Sequence, residues 1–235
     1  HLLRWGKFYI LDPAQQWTID RIVNVCREVV TKYDVDGILY DDYFYPNGIA
    51  SSVAAPAYKE WQNSGTDLSI GDWRRENVHR MVKAVYAMIQ REKPWVRFGI
   101  SPAGVACTSQ SLADKYGIDP CPSGSDWQYN GIFSDPVSWL KGHLIDFIAP
   151  QVYWKIGFKR ADFSLVAPWW CKTARKFSRQ AFVSMCIDKL MTTSEFPEWA
   201  AEMEILRRNC AKDQGGTIFW SVRNLYNKPG LSEQL

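Results

Sequence analysis

Short apolar runs alternate with amphipathic helical stripes along almost the whole chain, and that alternation narrows its folds more than any other feature. Strands are expected at Lys7–Leu11, Asp36–Asp41, Arg97–Ser101, Asp146–Tyr153, Ala181–Cys186 and Thr217–Val222. Between them lie helical stripes: Ile22, Val23, Cys26, Val29, Val30 and Tyr33, then Val78, Met81, Val82, Val85, Met88 and Ile89. A third helix carries Trp169, Trp170, Ala174 and Phe177, and a fourth Phe196, Trp199, Met203, Leu206 and Cys210. Asp72 is the expected cap of the second stripe and Ser194 of the fourth, while Lys93-Pro94 and Gly215-Gly216 are expected stops. Strand–helix units in series imply a parallel sheet. Two long insertions, rich in Gly, Pro and Ser, follow strands rather than helices, so both fall on the C-terminal face of that sheet. This pattern predicts a (β/α)8 barrel of TIM type with an elaborated rim. Six strands leave it one or two βα units short, within a single domain spanning residues 1–235. A doubly wound open sheet is the alternative, though no GxGxxG turn follows any strand.

The stretch Asp36-Gly37-Ile38-Leu39-Tyr40-Asp41-Asp42-Tyr43-Phe44-Tyr45-Pro46 is where chemistry is expected. It is a buried strand that ends in two carboxylates and an aromatic turn. Carboxylates at the end of an apolar strand need a partner or a use, and in a parallel barrel that end faces the active site. The plainer alternative makes one Asp a helix cap and gives the other an Arg partner.

Composition bears on what such a site would take. The net charge is only +3, and no Lys/Arg run follows a phosphate backbone, so nucleic acid is not indicated. No apolar run reaches the ~18 residues of a membrane span, and His1-Leu2-Leu3-Arg4-Trp5 has none of the parts of a signal peptide. Six cysteines form no CxxC pair and three histidines show no ligand spacing, so neither a metal nor another cofactor is expected. Cys107 and Cys121 share one insertion and are expected as free thiols rather than as a disulfide. Aromatic residues make up 14% of the chain, with twelve Trp, and those clustered after strands suit the flat C–H faces of sugar rings.

These residues also resemble a known family. The run Tyr33–Pro46, then Trp73-Arg74-Arg75-Glu76-Asn77-Val78, Phe98-Gly99-Ile100-Ser101-Pro102, Ile145–Trp154 and Gly216–Ser221 are similar, in order, to glycosyl-hydrolase-like family 10. The segment Gly124-Ser125-Asp126-Trp127-Gln128-Tyr129-Asn130 looks most like members from Bacteroidetes. The resemblance implies a (β/α)8 barrel related to bacterial cell-wall glycosidases, a carbohydrate substrate such as peptidoglycan glycan strands, and a periplasmic or envelope location. It leaves the oligomeric state open.

Glycoside hydrolysis needs an acid at the leaving oxygen and a second group at the anomeric carbon. Asp41 and Asp42 are the candidate pair. If the strand breaks so that both face the cleft, one orients a substrate 2-acetamido group and the other is the acid. If only one faces in, Glu76 is the leading partner. Expected substrate contacts are Tyr40, Tyr43, Arg74, Ser101, Gln151, Tyr153 and Trp154, with Trp127 and Tyr129 on the insertion. A carbohydrate-binding barrel without turnover would keep the aromatics and need no ionised pair. An ester or amide hydrolase would need a histidine at a strand end, and neither His79 nor His143 stands at one.

Overall fold

A computed structural model describes residues 2–41, 43–63, 65, 67–189, 195–210 and 215–227. The chain opens with an antiparallel hairpin, β1 (Leu2–Trp5) and β2 (Phe8–Leu11), paired from Leu2 against Leu11 to Trp5 against Phe8. Its two-residue turn depends on Gly6, whose φ of +59° suits a glycine. This corrects the first expected strand: Lys7–Leu11 does not enter the parallel sheet but pairs with Leu2–Trp5 in a separate two-stranded sheet.

The sheet consists of β3 (Gly37–Asp41), β4 (Arg97–Ser101), β5 (Phe147–Ile148), β6 (Gln180–Cys186) and β7 (Gly216–Trp220). All four pairings are parallel and the spatial order follows the chain. Parallel neighbours require crossovers, and helices supply them. α1 (Gln16–Lys32) leads into β3, and α3 (Ile70–Glu92) joins β3 to β4. α7 (Phe163–Lys176) joins β5 to β6, and α8 (Phe196–Asn209) lies between β6 and β7. This is the architecture of a (β/α)8 barrel over part of its circuit.

The longest helix shows why the periodicity was readable. Val78, Met81, Val82, Val85, Met88 and Ile89 of α3 are all at most 3% exposed. Each fully buried apolar side chain contributes about 1.5–3 kcal/mol of transfer free energy. The helix begins two residues before Asp72, with Ser69 as its cap. The Ser69 hydroxyl accepts from the Asp72 N–H at 3.1 Å and donates to the Asp72 carboxylate at 2.6 Å, a reciprocal box that assigns Asp72 to the first turn.

The insertions are partly helical rather than open loops: α2 (Ala55–Gln62) follows β3, and α4 (Gln110–Tyr116), α5 (Trp127–Asn130) and α6 (Pro136–Lys141) lie between β4 and β5. α9 (Val222–Asn227) follows β7. The expected cap Ser194 lies outside the described residues. Two cysteines not singled out in the sequence, Cys171 on α7 and Cys210 after α8, form a disulfide with Cα atoms 5.3 Å apart. Cys107 and Cys121 are free and buried, and burial pushes both thiols up to about 12.

Candidate active site

Strand pleating decides which side chains meet at the C-terminal rim. On β3, Leu39 and Asp41 share one face and Ile38 and Tyr40 the other. The register pairs Asp41 with Ser101 at the ends of β3 and β4. After β5 the chain continues through Pro150, which has no N–H to offer a ladder. Gln151 resumes the pairing as isolated bridges to Ala103 on one side and Ser184 on the other. The backbone thus delivers Asp41, Ser101, Gln151 and Ser184 to one layer.

These residues line a cleft of about 350 Å³, which Tyr43, Tyr153 and Trp220 also border. At its centre Gln151 Nε2 donates to Asp41 Oδ1 at 2.8 Å and to the Ser101 carbonyl at 3.0 Å. One amide therefore fixes the orientation of the carboxylate and ties two strand ends together. Burial pushes the Tyr153 hydroxyl above its ordinary value, and the Cys186 thiol, the Asp41 carboxylate and Tyr43 add to the shift. Its hydrogen bond with Ser184 pulls the other way. Tyr153 consequently stays protonated through neutral pH and remains a donor beside Asp41. Tyr43 and Trp220, both lining the cleft, are 69% and 56% exposed.

Five of the expected site residues therefore converge: Asp41, Tyr43, Ser101, Gln151 and Tyr153. Asp42 lies outside the described residues. The others are placed elsewhere. Tyr40 points to the helix side, its hydroxyl 3.0 Å from the Cys26 sulfur and its ring edge-on to Phe98. Arg74 is 1% exposed. Its guanidinium lies over Tyr45 and Phe133 and bonds the Ala50 carbonyl at 2.9 Å, so it packs the rim from within. Trp154 is half-buried against the core and does not line the cleft. Glu76 and Tyr129 border a separate polar cavity of about 290 Å³ between the start of α3 and the second insertion. There Arg75 stacks on Tyr129 at 3.8 Å and pairs with Asp72 at 2.8 Å. Trp127 packs against the core.

Sequence reasoning passed over Trp220, Ser184 and Ile218. The signal was present: Ile218 and Trp220 are two apart on the final strand and so share a face. Asp188 lies in the 3-10 turn directly after β6 and does not line the cleft; Asn224 donates to its carboxylate. Among the described residues that line the cleft, Asp41 carries the one carboxylate. Among the described residues, no three His, Cys, Asp or Glu side chains group as a metal ion would need, and no helix is long and apolar enough to cross a membrane.

Residues 5–200 match a family described as Glycosyl hydrolase-like 10. The chain is 33% identical to glycosyl hydrolase YngK of Bacillus subtilis (strain 168), over 98% of this chain and 46% of that protein. It is 31% identical to glycosyl hydrolase DigH of Escherichia coli (strain K12), over 83% of this chain and 43% of that protein. The chain thus spans a little under half the length of the curated relatives it matches. Among solved structures, an apo beta-glucosidase 1317 aligns with a TM-score of 0.48 at 12% identity, over 89% of this chain and 59% of that one.

Proposed function

The chain belongs to the glycosyl hydrolase-like 10 family, and we propose that its Asp41 cleft hydrolyses glycosidic bonds in a polysaccharide. The observation that carries this reading is the anchored carboxylate: Asp41 stands at the C-terminal end of a parallel strand, held by Gln151 at 2.8 Å, in a cleft that the exposed Tyr43 and Trp220 also line. The names of the relatives, YngK and DigH, agree with it.

The substrate we propose is an N-acetylhexosamine polymer, the glycan strand of peptidoglycan. A carboxylate locked by a neutral amide suits orientation better than proton donation, so Asp41 is assigned the substrate's 2-acetamido group. The acetamido carbonyl oxygen attacks the anomeric carbon, the glycosidic C–O bond breaks, and the leaving oxygen takes a proton from the acid. Water then opens the cyclic intermediate and returns a proton to the same group. Asp42, adjacent in sequence, is assigned the acid; Asp188, on the same rim, is the next candidate now that Glu76 borders another cavity. Tyr153 and Ser101 read sugar hydroxyls, and Tyr43 and Trp220 stack on ring faces. A periplasmic or envelope location and one barrel domain belong to the same proposal, and the Cys171–Cys210 disulfide supports an oxidising compartment.

A second reading, a carbohydrate-binding barrel without turnover, is favoured by the single carboxylate among the described cleft residues. Reducing-end release from peptidoglycan strands stripped of stem peptides separates the two. Hydrolysis predicts release by the wild type and a loss of roughly a hundred- to ten-thousandfold in Asp41→Asn and Asp42→Asn. Sugar binding without release, unchanged in both variants, would leave only the binding barrel.

A further inference from the structure

A second opening, of about 710 Å³, lies between the β1–β2 hairpin and the body, and Tyr43 borders both it and the Asp41 cleft. The hairpin's construction explains its shape. Pairing places Leu3, Trp5, Phe8 and Ile10 on one face. At the base, Leu3 is 7% exposed and Ile10 packs against the core, which holds the hairpin to the body. At the tip, the same face carries Trp5 and Phe8, stacked at 6.3 Å with planes 26° apart, yet 38% and 54% exposed. Two large rings on the inner face of an anchored hairpin cost solubility unless something lies under them. Tyr43, Phe44, Pro46 and Asn47 also line the opening.

We infer that this groove is a distal glycan subsite, into which a polymer seated at Asp41 continues across Tyr43 and beneath Trp5 and Phe8. The inference rests on the glycan reading of the cleft and deepens it, since it makes the substrate an extended chain rather than a small glycoside. Two observations select a sugar chain as occupant. Tyr43 lines both the groove and the cleft. Five aromatic side chains, Trp5, Phe8, Tyr9, Tyr43 and Phe44, line the groove, and aromatic rings suit pyranose C–H surfaces. The contacts offered to the chain change along this path, from polar groups at Asp41, Ser101 and Tyr153 to aromatic side chains at the hairpin.

The test compares a dimer and a hexamer of β-linked N-acetylglucosamine on wild type, Trp5→Ala and Phe8→Ala, with thermal melts to confirm folding. Each substitution is expected to weaken the hexamer by about tenfold, the scale of one lost aromatic contact, and to leave the dimer unchanged. Equal effects on both oligomers, or none on either, overturn the inference. If the wild type turns over neither oligomer, hydrolysis of this homopolymer fails, and the hydrolase reading is decided separately on stripped peptidoglycan strands. Hexamer binding followed by tryptophan fluorescence then still reports on the groove, with the same expected tenfold difference. Loss of self-association in Trp5→Ala with hexamer affinity unchanged would make the groove an interface between copies and overturn the subsite.

Discussion

Gly104 offers a test in which one methyl group reaches both the fold and the site. It follows β4, and its carbonyl accepts from the Trp170 indole at 2.8 Å. A Cβ built there would lie 2.4 Å from the Gln151 carbonyl oxygen, 2.8 Å from its carbon and 2.6 Å from the Trp154 ring, where real Cβ contacts stay beyond 3.0 Å. Backbone on one side and a packed indole on the other leave no flexible end to give way. Gln151 must retreat by more than about half an ångström against its own N–H bond to Pro102, made at 2.8 Å, and its bridge to Ser184. Overpacking of this kind costs about 1–3 kcal/mol, which in a chain of this size lowers the melting temperature by about 2–12 °C. The same movement draws the Gln151 amide off Asp41. A misplacement on the order of an ångström costs about a hundredfold in turnover, so Gly104→Ala should lose activity out of proportion to its stability.

Gly124→Ala is the internal control, because nothing lies within 4 Å of its added Cβ. It should be neutral or gain up to about 1 kcal/mol through the unfolded chain. Differential scanning fluorimetry and reducing-end release on both variants give the result. If Gly104→Ala melts with Gly124→Ala and keeps wild-type turnover, the Gly104–Gln151–Asp41 coupling is refuted.

Three further outcomes follow from the same structure. The Cys171–Cys210 bridge spans 39 residues. Constraint of the unfolded chain over such a loop is worth about 4 kcal/mol, so the double Cys→Ser variant should lose up to that amount in urea unfolding with turnover retained where it stays folded; unchanged stability would show that the bridge does not constrain the chain. Arg74→Ala removes a buried guanidinium that bonds the Ile49 and Ala50 carbonyls. It should cost about 2–3 kcal/mol in the same assay and leave KM unchanged, whereas a raised KM with unaltered stability would return Arg74 to the substrate. Burial raises the Asp135 carboxyl above its ordinary value despite the Tyr116 hydrogen bond. An acid with a raised folded value binds more protons folded than unfolded, so its contribution is full below the ordinary carboxylate range and lost as pH rises through the folded value. Asp135→Asn, which still caps α6, should flatten the fall in stability above that range, and an unchanged pH profile would count against the buried charge.

What the sequence made legible is whatever a local period controls. The α3 stripe was readable because residues spaced three and four apart must face one way on a helix, and all six predicted positions are buried. The strand ends were readable for the same reason, which is why Asp41, Tyr43, Ser101, Gln151 and Tyr153 meet in one cleft. Phe8–Leu11 was misassigned because an apolar tetrapeptide has no period of its own that distinguishes hairpin from barrel; the cue was the two-residue Gly6-Lys7 turn before it. Asp146–Tyr153 reads as one strand but ladders only at Phe147–Ile148, since Pro150 interrupts it.

What escaped was set by distance in sequence. Whether Tyr129 meets Arg75 or a substrate depends on where the second insertion returns, and it returns to the flank of α3. The Cys171–Cys210 pairing depends on how α7 packs against the end of α8, which neither segment encodes alone. Gln151 shows both regimes in one residue. Its position at a strand end marked it as polar and rim-facing, and only the register of three strands revealed that its amide is already committed to Asp41 and the Ser101 carbonyl. An amide so committed is not free to read a sugar hydroxyl with the same hydrogens. Its contribution to a hydrolytic site therefore runs through the carboxylate it holds. On that argument Gln151→Leu should lower kcat with little change in KM, and a rise in KM alone would make Gln151 a substrate contact instead.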